Sequence, residues 1–159
     1  KIVKPKNKAI KNLLLLRKDH VDELQKNILK GGDWVINIKS VRNVLSGENF
    51  VYAFPEITEN KMIVKKGEKI TKINFKQGDF NKKNFGDNIN RLLSSSLAEI
   101  KRRGSLTNEI KLQNNSIKDL RDFLDKKNKI NFELAVVSLM NSKITQTVIV
   151  KLNISYPNS

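Results

Sequence analysis

Ser116-Ile-Lys-Asp-Leu-Arg-Asp-Phe-Leu124, followed by Ile130-Asn-Phe-Glu-Leu-Ala-Val-Val-Ser-Leu-Met140 and Val148-Ile-Val-Lys-Leu-Asn-Ile-Ser-Tyr156, decides the fold class. Ile117, Leu120, Phe123 and Leu124 recur with the 3.6-residue period of one helix face. The Ser116 hydroxyl can cap free N–H groups at the helix start, and Asp119 puts negative charge in the first turn. Ile130, Phe132, Leu134, Val136 and Met140 then alternate with their neighbours. Asn141-Ser142-Lys143 turns the chain, and Val148, Val150, Leu152 and Ile154 alternate again. With a short strand near residue 109 ahead of it, this spacing predicts a helix packed on one face of an antiparallel sheet. The unit carries no catalytic chemistry of its own.

Upstream, a second helix is predicted from Asn88 to Arg103, with Asp87 as its N-cap. Ile89, Leu92, Leu93, Leu97 and Ile100 form its apolar stripe, Lys101-Arg102-Arg103 complements the negative end of its dipole, and Gly104 stops it. Residues 77–87 read as a polar connection. Before them, residues 34–76 read as short strands: Trp34–Ile38, Asn49–Phe54 stopped by Pro55, Met62–Val64 and Ile70–Phe75. The last two flank Lys66-Gly67-Glu68, a hairpin-turn pattern.

The chain opens with a basic, Pro-containing lead over residues 1–8 and continues as a helical pattern to Leu29, which Gly31-Gly32 ends. Ile10, Leu14, Val21, Leu24 and Ile28 fall on a/d positions of a heptad, with Arg17 as the one break. Two readings stand side by side: a coiled-coil seam that binds a partner, or a helix that packs on its own domain. The predicted class is therefore α+β, divided into a helical arm (1–32), a strand-rich middle (33–78) and a helix-on-sheet unit (79–159).

The 159 residues are enough for one domain with a core, or a small domain with an arm. There are no cysteines, which removes disulfides, thiolate nucleophiles and Cys-based zinc sites. A net charge of +15 favours an anionic partner: nucleic acid, anionic lipid or an acidic protein surface. The excess is mostly Lys, accompanied by abundant Asn and Ile, as AT-rich codon usage also produces. Lys gives diffuse attraction where Arg would give bidentate recognition. No apolar run approaches the ~18 residues that a spanning helix requires. The sequence opens on Lys1 rather than Met, so it is expected to be a fragment whose leading segment, signal or anchor is missing.

Candidate chemistry is sparse. His20 stands alone between Asp19 and Val21, without a second His or any Cys to complete a metal set. Asp119, Asp122 and Asp125 sit among Lys118, Arg121, Lys126 and Lys127, the pattern of a solvated helix face with i,i+3 and i,i+4 pairs. Ser94-Ser95-Ser96 lacks the nucleophile-elbow glycines, and a mid-helix serine close against a neighbour explains it better. No phosphate-cradling glycine string occurs. Arg102-Arg103-Gly104-Ser105-Leu106 fits a basophilic-kinase pattern that helix capping already explains. The sequons at Asn114 and Asn153 overlap a helix cap and a strand. Phe75, Phe80 and Phe85 among Lys72, Lys76, Lys82 and Lys83 are the nearest approach to an aromatic-basic nucleic-acid surface. No catalytic residue, metal ligand, cofactor or small-molecule substrate is assigned.

The order helix (88–103), strand, helix, two strands, behind a helical arm, resembles the periplasmic part of type IV pilus inner-membrane proteins of the PilO type and type II secretion proteins of the GspM type. The resemblance covers about residues 88–156 and rests on Ser116–Leu124, Ile130–Met140 and Val148–Tyr156. The strand-rich block at 34–76 and the strongly basic charge depart from that pattern. The resemblance implies a coiled-coil segment leading into a ferredoxin-like domain. It further implies a non-enzymatic assembly component at the periplasmic face of the inner membrane. Its partner would be a second copy or a homologue, engaged through Ile10, Leu14, Val21, Leu24 and Ile28. The alternative reading is a basic nucleic-acid-binding or nucleocapsid-associated protein.

Overall fold

A computed structural model describes residues 13–43, 49–76, 84–126 and 131–156, and the chain divides after Asn60 into two units, Lys1–Asn60 and Lys61–Ser159. The first unit runs β1 (Leu13–Leu16), α1 (Lys18–Leu29), β2 (Trp34–Ser40) and β3 (Phe50–Glu59). Its sheet has the order β1-β3-β2, with β1 parallel and β2 antiparallel to β3.

The expected continuous helix from residue 9 is corrected here: Leu13–Leu16 is a strand, and the helix starts at Lys18. Four successive leucines are apolar on both strand faces, which suits pairing, and Phe50–Ala53 supplies the partner. Arg17, the break in the heptad, is the extended residue (φ −71, ψ 142) that caps α1. At the other end Gly31 and Gly32 take φ of +78 and +115. A Cβ at Gly32 would lie 3.1 Å from Trp34 Nε1, and that indole N–H donates to the Gly31 carbonyl at 3.0 Å. Glycine is thus required there both for backbone angle and for space.

β3 continues through Pro55, which the sequence pattern takes as a stop. Pro55 pairs with Ile38 but lies beyond the last β1 pair at Ala53, so on one side no strand requires its missing N–H.

The second unit runs β4 (Met62–Val64), β5 (Lys69–Phe75), α2 (Phe85–Arg102), β6 (Ile110–Leu112), α3 (Ser116–Lys126), β7 (Phe132–Ser138), β8 (Ser142–Lys143) and β9 (Val148–Ser155). Its main sheet has the order β5-β7-β9-β6, and β4 pairs with β8 in a two-stranded ribbon. The protein is α+β, as its patterning predicts. The finer arrangement differs from an all-antiparallel, ferredoxin-like sheet, because β6 runs parallel to β9.

Both helices cover one face of this sheet. The Thr71 hydroxyl meets Ser96 of α2, and Phe123 of α3 packs edge-on to Phe132, which stacks on Phe75 at 5.2 Å. Leu92, Ile100, Leu120, Leu134, Val136, Val148 and Val150 are sealed between them. Ile89, Leu92 and Ile100 confirm the expected stripe of α2, which begins three residues earlier than Asn88, so that Asp87 lies in its first turn and Asn84 is the N-cap.

β4 and β5 do not form the hairpin that Lys66-Gly67-Glu68 suggests. The turn exists, with Gly67 at φ +81 and its N–H donating to the Ser138 carbonyl, but it hands the chain from one sheet to another. The strand-rich middle is accordingly split. Residues 34–59 form β2 and β3, of which β3 pairs with the N-terminal strand, whereas 62–75 pair with the C-terminal half. Asn141-Ser142-Lys143 is likewise more than a turn. Asn141 Oδ1 accepts the Lys66 N–H at 2.8 Å, and Ser142–Lys143 is β8.

Candidate functional site

The predicted partner-binding residues do not form one helical seam. Ile10 lies outside the described residues. Leu14 is on β1, and Val21, Leu24 and Ile28 are on α1. Val21 and Ile28 are exposed, while Leu24 is half-buried against β3. A different apolar surface takes the seam's place. The register puts Leu14 and Leu16 of β1 on the same sheet face as Ile36 and Ile38 of β2, through Val51, Ala53, Pro55 and Ile57 of β3. Those four aliphatic side chains are 49, 38, 42 and 46% exposed. The alternation of Ile36 and Ile38 was visible in sequence; what hid the surface was the reading of Leu13–Leu16 as helix.

His20 sits on α1, half-buried, beside a cavity of about 220 Å³ lined by Glu23, Leu24, Asn27, Phe54, Pro55 and Ile57. Its Nδ1 is buried without a hydrogen-bond partner among the described residues. No three metal-ligating side chains gather among the described residues.

The larger concavity belongs to the second unit. About 560 Å³ in volume, it is lined by Thr71, Lys72, Ile73, Asn74 and Phe75 of β5 and by Asn88, Arg91, Leu92 and Ser95 of α2. The five β5 residues are consecutive. Side chains alternate between the faces of a strand, so a space touched by all five runs along the strand's edge. The α2 residues follow the i, i+3, i+4, i+7 spacing of one helix face. At one end the groove is tied shut: Ser96 Oγ, fully buried, accompanies the Thr71 hydroxyl and donates to the Leu92 carbonyl at 2.9 Å. Ser96 is thus a mid-helix serine packed closely against its neighbours, as expected.

The helix-free face of the same sheet is lysine-rich. Lys69 and Lys72 clamp Glu133, each at 2.8 Å, and Ser155 donates to the same carboxylate at 3.3 Å. The Lys69 and then the Lys72 ammonium hold the Glu133 carboxyl down at about 2. Lys111 and Lys151 lie on this face on β6 and β9, flanking Ile149.

A second ionic node closes α2. Arg103 donates to Glu99 at 2.8 Å, to Glu68 and to the Ile63 carbonyl at 3.1 Å. Arg102 and then Arg103 draw the Glu99 carboxyl down to about 2. The Lys65 N–H and, after it, Arg103 lower Glu68. The basic run after Leu97 therefore ties the helix end to the β4–β5 turn, which goes beyond capping.

Of the aromatic residues weighed for base stacking, Phe75 is core, Phe80 lies outside the described residues, and the Phe85 ring carries the Arg121 guanidinium at 5.0 Å. Asp119, Asp122 and Asp125 stay exposed on α3. No described helix is long and apolar enough to cross a membrane. No family model, curated protein or solved structure matches this chain.

Proposed function

We propose that this protein works by non-enzymatic protein–protein association, as an assembly component, with the Lys1–Asn60 unit as its adhesive part and a second copy or a homologous chain as its partner. The observation that carries this reading is the set Leu14, Leu16, Ile36 and Ile38, aliphatic, on one face and substantially exposed. They form two apolar edges on either side of the β3 residues that α1 covers, and exposed aliphatic side chains grouped on one face are characteristic of an interaction site, whereas those scattered singly are ordinary. The envelope-machine role at the periplasmic face of the inner membrane rests on the resemblance of residues 88–156 alone and is proposed on that footing.

Sedimentation of the whole chain over a concentration series tests the association. Wild type is expected to gain mass with concentration, and Ile38→Asp and Leu14→Asp are each expected to remain monomeric with unchanged helical circular dichroism. A wild-type chain that stays monomeric throughout overturns the reading. Polyanion binding is the second reading, supported by Lys111 and Lys151 on the helix-free face of the other unit. Its signature is affinity for duplex DNA that falls steeply as salt rises.

A further inference from the structure

We infer that the groove between β5 and α2 is a docking site for an extended acidic segment of another protein, which adds to the sheet as a fifth strand beside β5. Three observations carry this. First, β5 is an end strand of the four-stranded sheet, and no described strand pairs with its outer side. Unpaired N–H and C=O groups along such an edge form a template for another strand.

Second, the groove already has the shape of a strand-binding cleft. One wall is the edge of Thr71–Phe75 and the other is a single face of α2, with the buried Leu92 at its base. The Thr71–Ser96 contact ties helix to strand at one end and so fixes the spacing of the walls. A groove held open in the free protein spares a peptide the cost of ordering its site.

Third, the lining is cationic and hydrogen-bonding, and no acid is among its described residues. Arg91 is its charged side chain, and Asn88, Ser95 and Thr71 are its neutral polar groups; Lys72 and Asn74 border the groove from the strand but belong to the helix-free face. Lys72 is committed to Glu133 at 2.8 Å, whereas Arg91 is exposed and has no ion-pair partner among the described residues. A guanidinium on the helix wall, opposite a strand edge, selects a carboxylate side chain on an incoming strand. The surrounding charge of +15 steers the same kind of partner.

This inference is independent of the self-association proposed above. It concerns the other unit and other residues, so either can fail alone. The test uses the whole chain and three synthetic fluorescent peptides: an alternating Glu/Val peptide, the same peptide N-methylated at alternate amides, and an alternating Lys/Val peptide. Fluorescence anisotropy is expected to show saturable binding of the first only, because N-methylation removes strand pairing without changing charge. Amide exchange should slow across Lys69–Phe75 when the peptide is bound. Arg91→Glu, on an exposed helix position, is expected to weaken the acidic peptide by about fivefold at low salt, the scale of replacing a favourable exposed pair with a repulsive one. Equal binding of the N-methylated or the Lys/Val peptide, or an Arg91→Glu chain that binds as wild type, would overturn the proposal, as would no binding at all.

Discussion

Lys61–Ser159 and Lys1–Asn60 draw on the same aliphatic alphabet and use it in opposite ways. In the larger unit two helices seal one sheet face, and Leu92, Leu120, Leu134, Val136 and Val150 are closed to solvent. In the smaller, Ala53 is the one buried apolar residue among those described, and Leu14, Leu16, Ile36 and Ile38 of the flanking strands stay exposed on either side of the part of the face that α1 covers. Chain length explains much of this. One twelve-residue helix over three strands cannot cover a sheet face, and a unit of this size hides a smaller fraction of its surface than a large one. The lesson is that one unit completes its own core while the other presents an unfinished one.

The sharpest way to break that contrast is to truncate one side chain in each unit. Leu120→Ala should destabilise the chain by about 2–5 kcal/mol, through lost transfer energy and a cavity. Leu16→Ala should cost under about 1 kcal/mol, as most substitutions at half-exposed positions do. Denaturant melts of both variants measure the difference, and equal midpoints would erase the distinction between the units. A middle-sized effect tests the tie between β5 and α2. Thr71→Val keeps shape but removes the hydroxyl that meets buried Ser96, and about 1 kcal/mol should be lost.

The smallest expected effect concerns pH. Glu133 is lowered from 4.5 to about 2 in the fold, so its ion pairs stabilise the protein above pH 4.5 and are lost as pH falls toward 2. Glu99 behaves the same way, also in Lys61–Ser159. Melting temperatures taken between pH 5 and 2 should therefore decline, and Glu133→Gln should decline less steeply than wild type. A variant with an unchanged acid slope would show that the lysine clamp contributes nothing.

Local pattern revealed the second unit well and the first unit poorly. Leu120–Leu124 and Val148–Ile154 carry their periods openly because each turns a consistent face to the core, whereas β7 is buried on both faces and Ile117, expected in the α3 stripe, is exposed. Leu13–Leu16 does not carry its strand openly, since leucine is a good helix former and only the distant Phe50–Ala53 makes a strand of it. Lys66-Gly67-Glu68 shows the same limit: a turn pattern specifies a reversal but not which strands then pair. The β5–α2 groove was illegible for a related reason. Asn88, Arg91 and Ser95 carry no pattern of their own and gain a role only from the strand edge opposite them.

The parallel pairing of Leu13–Leu16 with Phe50–Ala53 also sets a timetable. On the ribosome, the N-terminal strand emerges more than thirty residues ahead of the segment it must zip to, and α1 and β2 appear in between. Sheet closure with such a long sequence separation is slow, and transiently bare strands are open to wrong partners. Four leucines in a row would therefore wait, greasy and unpaired, during synthesis. A holding chaperone, or early capture by a neighbouring nascent copy, would shorten that exposure.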